Sequence, residues 1–152
     1  MTLTAENLIG AWRLVSAVEV YTDGERNPEF GDNADGYLSY SPNGIVSATL
    51  GDMNRPGSTA GDPQSATDQE LAQMSRRFIA YAGPYTVDPD KGTVTHHVDV
   101  ALFTGWEGSD QVRHAHVDAG VLHIVGSPRT AADGREFSTE LTWERVSPLV
   151  HG

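Results

Sequence analysis

Gln111-Val112-Arg113-His114-Ala115-His116-Val117-Asp118 and Val121-Leu122-His123-Ile124-Val125-Gly126, separated only by Ala119-Gly120, decide the fold class. Each run alternates in character, the period-two pattern of a strand with one face in a core. Two such runs joined by two residues make a β-hairpin, and the short turn locks their relative parity. Ala115, Val117, Leu122 and Ile124 form the shared apolar face, which also carries Gln111 and Arg113. His114, His116 and His123 fall on the other face.

The same pattern extends outward in both directions. On the C-terminal side, Ala132-Asp133-Gly134 makes a turn before a strand at about 137–146. There Phe137, Thr139, Leu141, Trp143 and Arg145 alternate with a fully polar set. On the N-terminal side, a long strand is expected at about 93–103 and another near 84–88, split by Asp88-Pro89-Asp90-Lys91-Gly92. Strands at 36–41 and 45–50 flank the turn Ser41-Pro42-Asn43-Gly44, and the first strand covers 11–21. Eight short strands with hairpin spacing predict an all-β fold, an eight-stranded antiparallel up-and-down barrel or a sandwich.

Residues 51–66 hold three Gly and two Pro and read as a loop. Thr67-Asp68-Gln69-Glu70 then has the form of a capping box, and Leu71, Met74 and Phe78 follow at helical spacing. One short helix is therefore expected between strands 3 and 4, plugging or covering a barrel end, with Tyr81 at its end. These apolar side chains read as core packing.

The chain has 152 residues and reads as a single domain over 1–152. Ten basic residues stand against 21 acidic ones, a formal charge of −11. That balance argues against nucleic-acid backbone binding and against anionic membranes. An acidic surface is compatible with a homodimer. There is no Cys, hence no thiolate metal site and no cysteine nucleophile. No apolar run approaches the ~20 residues of a membrane helix, and the first residues lack a signal-peptide pattern, so a cytoplasmic protein is expected. No Walker loop, dinucleotide-binding Gly motif or nucleophile elbow is present, and no cofactor is expected. His114-Ala115-His116 places two imidazoles on one strand face, which on a solvated surface suits adventitious metal better than a functional site, so no metal is expected either.

Six segments carry a resemblance. Leu8-Ile9-Gly10-Ala11-Trp12-Arg13-Leu14-Val15-Ser16 resembles the opening Gly-x-Trp strand of calycin-type barrels. Gly36–Gly44, Tyr81–Tyr85, Val94–Val98, Gly108–Arg113 and Leu141–Arg145 resemble, in order, the bacterial lipocalin-like domain family. The resemblance spans roughly 7–146 and implies a lipocalin-like barrel closed at one end by a Trp–Arg pair, here Trp12 and Arg145. Such barrels are known as ligand carriers and, in some biosynthetic pathways, as cyclases or isomerases, and fold alone does not choose between these.

Polar groups inside an apolar barrel mark its chemistry, because burial is costly unless each finds a partner. Parity sends Arg113 and Gln111 inward. In the strand over 93–103, the even positions are apolar apart from His96, which favours His96 in the cavity. A symmetric hairpin would instead turn His97 and Asp99 toward Arg113, and a bulge near the loop would swap the answer. Leu38, Tyr40, Val98, Tyr81 and Tyr85 are expected to line the pocket, and Asn54, Arg55 and Trp106 to frame its mouth. Arg113 would hold an oxygen and stabilise negative charge, and His96 or His97 would move a proton, with Tyr40 or Tyr85 as donor. The set predicts binding of a small, largely apolar or amphipathic metabolite with cofactor-free cyclase or isomerase chemistry. The alternatives are a passive intracellular carrier or sensor, and a structural Arg113 paired with Asp99.

Overall fold

The Ala119-Gly120 turn forms as the sequence requires: both residues take positive φ, 51° and 78°, the geometry of a two-residue hairpin turn. It joins β8 (Asp110–Asp118) to β9 (Val121–Gly126) in the computed structural model of the protein, which describes residues 2–148. The other strands are β1 (Gly10–Tyr21), β2 (Arg26–Pro28), β3 (Ala34–Tyr40), β4 (Ile45–Asp52), β5 (Phe78–Asp88), β6 (Thr93–His97), β7 (Val100–Ala101), β10 (Arg129–Thr130) and β11 (Glu136–Arg145). Two α-helices, α1 (Ala5–Leu8) and α2 (Asp68–Arg76), complete the fold with two short 3-10 turns.

Eight strands close a barrel in the order β1-β3-β4-β5-β6-β8-β9-β11, and β11 returns to pair with β1. Every pairing is antiparallel. The short strands β2, β7 and β10 attach to this ring. Closure leaves no long unpaired edge among the eight.

A β-bulge between Leu14 and Ser16 re-aims β1. Trp12 and Leu14 point inward before it, Ala17 after it, and Val15 is left 51% exposed. One extra residue thus flips which parity faces the core. The core is built from Trp12, Leu38, Val46, Val94, Leu122 and Trp143.

One end of the barrel is sealed by the N-terminal segment. Leu3 and Leu8 are buried, and the Trp12 indole Nε1 donates to the Leu8 carbonyl at 2.9 Å. Arg145 stacks over the Trp12 ring at 4.1 Å and donates to the Asn7 and Ile9 carbonyls, each at 2.7 Å. Arg145 therefore caps the barrel end from outside and does not reach the interior. Gly10, with φ 126°, makes room for it: a Cβ there would lie 2.9 Å from Arg145 Nη1.

The expected helix between the third and fourth strands is corrected in position: it follows β4. The reason is β2, a three-residue strand that pairs with β1 ahead of it. The capping box holds, with Thr67 and Glu70 bonding each other's backbone N–H. However, α2 ends at Arg76, Phe78 already belongs to β5, and no residue of α2 is buried. Hence α2 does not plug the barrel; its last turn borders the open end. The strand expected over 93–103 is also interrupted. Val98 turns out of the ladder to exchange backbone hydrogen bonds with Gly108 and Ser109, and β7 pairs with β5 instead.

Candidate functional site

The open end leads through two adjoining chambers. The inner one, about 160 Å³, lies inside the barrel, with Leu38, Ala48, Leu50, Ile124, Leu141 and Trp143 among its apolar walls. The outer one, about 580 Å³, lies between the end of α2, the 103–106 turn and β11. Glu29, Ile79, Trp106 and Arg129 belong to both walls and mark the boundary.

Register places the polar groups. In β6 and β8, Val94 pairs with Arg113 and His96 with Gln111, so even positions of β6 match odd positions of β8. This is the bulged alternative, and His96 enters the wall at 2% exposure. His97 faces outward, bonded to Thr86 Oγ1 and to Asp110. Asp99 is exposed and its backbone N–H bonds Ala82, so the Asp99–Arg113 pairing is absent.

His96 is held from both sides. Tyr40 Oη lies 2.7 Å from Nε2 and Tyr81 Oη lies 2.7 Å from Nδ1. Burial, with Arg113 and His97 adding to it, pushes the His96 pKa down to about 3. The ring is therefore neutral at neutral pH and has one N–H and one acceptor nitrogen. Tyr40 is 1% exposed and has no other side-chain partner among the described residues, so its hydroxyl donates to Nε2. Nδ1–H then donates to Tyr81 Oη, and the Tyr81 hydroxyl proton is left for the cavity, whose wall contains Tyr81. Burial raises the pKa of both phenols, so both stay protonated, although Arg113 pulls the other way.

Arg113 is held by a polar chain. Its Nη2 donates to Gln111 Oε1 at 3.1 Å, Gln111 Nε2 donates to Ser109 Oγ at 3.0 Å, and Ser109 Oγ donates to the Trp106 carbonyl at 2.6 Å. Among the described residues no carboxylate lies within ion-pair distance of Arg113. A guanidinium with unused donors beside a free Tyr81 hydroxyl can take a carbonyl, phenolate or carboxylate oxygen.

The cavity wall thus holds His96, Arg113, Gln111, Tyr81, Trp106 and Leu38 of the residues singled out in the sequence. Tyr40 stands directly behind His96. The rest lie elsewhere. Tyr81 sits within β5, not at the helix end. Tyr85 packs edge-on against Tyr40 and donates to the Ser41 carbonyl, so its hydroxyl is spent on the strand turn. Val98 is buried beneath the 106–109 turn rather than in the cavity wall. Asn54 and Arg55 are in the wall of neither chamber, and Asp52 accepts from the Asn54 N–H, the Arg55 guanidinium and Arg77. Arg55 then lies over the Phe78 ring.

Glu29 and Arg129 were not singled out. Both lie in stretches with no alternation to give them an inward parity. They meet at 3.4 Å, and burial pushes the Glu29 carboxyl up while Arg129 opposes it.

Comparison with known proteins agrees with this architecture. The profile of a family described as a lipocalin-like domain matches residues 9–146. A 4'-hydroxy-3'-methoxypropiophenone carrier protein, ppsC, from Aspergillus oryzae is 31% identical over 106 residues, covering 63% of this chain and 95% of that relative.

Proposed function

Because the chain belongs to the lipocalin-like domain family, we propose that it binds a small, oxygen-bearing aromatic molecule in the barrel and carries it without turnover. The observation that carries this is the Tyr81 hydroxyl beside Arg113, a guanidinium with no carboxylate partner among the described residues, both in the wall of a largely apolar chamber. The chamber's 160 Å³ compares with the ~150 Å³ apolar cavity that accepts benzene, so one ring fits the inner chamber. Substituents would extend into the outer one. The name of ppsC, carrier of an aryl ketone, supports the same class. Carriage is favoured over acid/base turnover because His96, with a pKa near 3, does not accept a proton at neutral pH.

The test is a titration with 4'-hydroxy-3'-methoxypropiophenone, the compound in that name, read by tryptophan fluorescence and followed by chromatography of the recovered ligand. Saturable binding with unchanged ligand is expected. No binding at millimolar ligand refutes the assignment. Cyclase or isomerase chemistry is a second reading, favoured by the Tyr40–His96–Tyr81 chain, which could relay a proton to bound substrate by exchanging the His96 tautomer. A new chromatographic product that disappears in Tyr81→Phe and Arg113→Ala would establish it.

A further inference from the structure

Beside Tyr81 and Arg113, the cavity wall holds a buried carboxylate. Glu29 has a side chain only 10% exposed. Arg129 Nη2 donates to its Oε1 at 3.4 Å, while its Oε2 is buried with no hydrogen-bond partner among the described residues. An unpartnered carboxylate oxygen in a ligand chamber is costly unless a ligand or water completes it.

The topology sets this oxygen apart from the Tyr81 hydroxyl, while the Arg113 guanidinium is near enough to act on the Glu29 carboxyl. The Glu29 backbone N–H bonds the Ala17 carbonyl of β1, and Arg129 pairs with Phe137 of β11. Tyr81 and His96 are on β5 and β6, and β5 lies three strands away from β1 around the ring by the shorter path. Phe30, buried next to Glu29, fixes the segment in place.

We infer that Glu29 is a second ligand anchor, and that it reads a hydroxyl group on the part of the aromatic ligand remote from the oxygen held by Tyr81. The inference rests on the binding function proposed above and deepens it. It makes the ligand a hydroxyaryl carbonyl compound. An acceptor oxygen sits on one side of the barrel and a donor hydroxyl on the other. An ammonium donor is disfavoured, because Arg113 and Arg129 place two guanidiniums in the same wall. A neutral hydroxyl completes Oε2 without that repulsion.

The probes are para-hydroxypropiophenone and para-methoxypropiophenone, titrated against the wild-type protein and Glu29→Gln. The wild type is expected to bind the hydroxy compound about tenfold or more tighter, the usual scale for a hydrogen bond to a charged acceptor. In Glu29→Gln the amide must turn its carbonyl to Arg129, which presents NH2 to the ligand. The preference then collapses or inverts toward the ether, an outcome that ether bulk alone does not produce. Equal wild-type affinities overturn the inference even if the variant fails to fold. So does an unchanged preference in a folded variant. If neither compound binds the wild type, the proposed function falls and the inference with it.

Discussion

Tyr40 Oη lies 2.7 Å from His96 Nε2, in a position where neither atom has another side-chain partner among the described residues. That contact gives direction to the whole inner site. A buried phenol must donate somewhere, so Tyr40 claims Nε2, the proton of the neutral ring sits on Nδ1, and Tyr81 receives it. Tyr81 is left as a donor aimed at ligand, positioned by His96, which Tyr40 holds from behind.

The two tyrosines should therefore separate stability from binding. Tyr40→Phe orphans a buried acceptor and is expected to cost about 1–3 kcal/mol of stability. Tyr81→Phe faces the chamber, where water replaces the lost partner, so its stability cost is smaller and its loss of ligand affinity larger. Urea denaturation and ligand titration on both variants check this. A Tyr40→Phe protein as stable as wild type would contradict the assigned direction.

Stability should also depend on pH through His96. Its folded pKa, about 3, lies below the ordinary histidine value. Between the two the unfolded chain binds more protons than the folded one. The contribution is fully present above the unfolded pKa and is lost as pH falls from there toward the folded value. The slope is about 1.4 kcal/mol per pH unit in that window. Carboxylates add their own slopes, so the readout is a difference: denaturation of His96→Asn against wild type from neutral to acidic pH. Parallel curves would exclude His96 as the source.

The closed end makes a third prediction. Arg145→Ala removes two hydrogen bonds and the stack on Trp12, and is expected to cost about 2 kcal/mol. Arg145→Lys should restore less than half of this, because an ammonium cannot fork to Asn7 and Ile9 while lying flat on the indole. Gly10→Ala should also destabilise, and its cost should shrink in the Arg145→Ala background, where the clash with Nη1 is gone. Additive effects in that cycle would show that the two positions are independent.

Most of the barrel was legible in the sequence because alternation is a local property. The β8–β9 hairpin, the inward Trp143 face and the capping box at Thr67 all follow from neighbours along the chain. What was not legible depends on register between strands. The bulge at Val15 reverses parity within a run that looks continuous. The break at Val98 is set by backbone bonds to Gly108 and Ser109, ten and eleven positions away. Tyr81 reads as a helix end because no Gly or Pro separates Arg76 from Phe78. Glu29 left no signal, since its inward position is created by the return of β2 along β1. His96 remained one of two candidates until pairing with β8 selected it.

Filling the inner chamber should separate binding from folding. Ala48, 3% exposed on β4, pairs across the sheet with Tyr81 and contributes to the chamber wall. Ala48→Leu would extend methyl groups into the space beside the Tyr81 hydroxyl. Filling an existing void costs little, whereas overpacking a filled core costs about 1–3 kcal/mol. The expected result is a protein with near wild-type denaturation whose ligand affinity falls by more than about tenfold, the scale of displacing one or two buried methylenes of ligand. A loss of stability without a change in affinity would place the ligand in the outer chamber. Glu29, Trp106 and Arg129 would then be its contacts, and Tyr81 would no longer be the group that holds its oxygen.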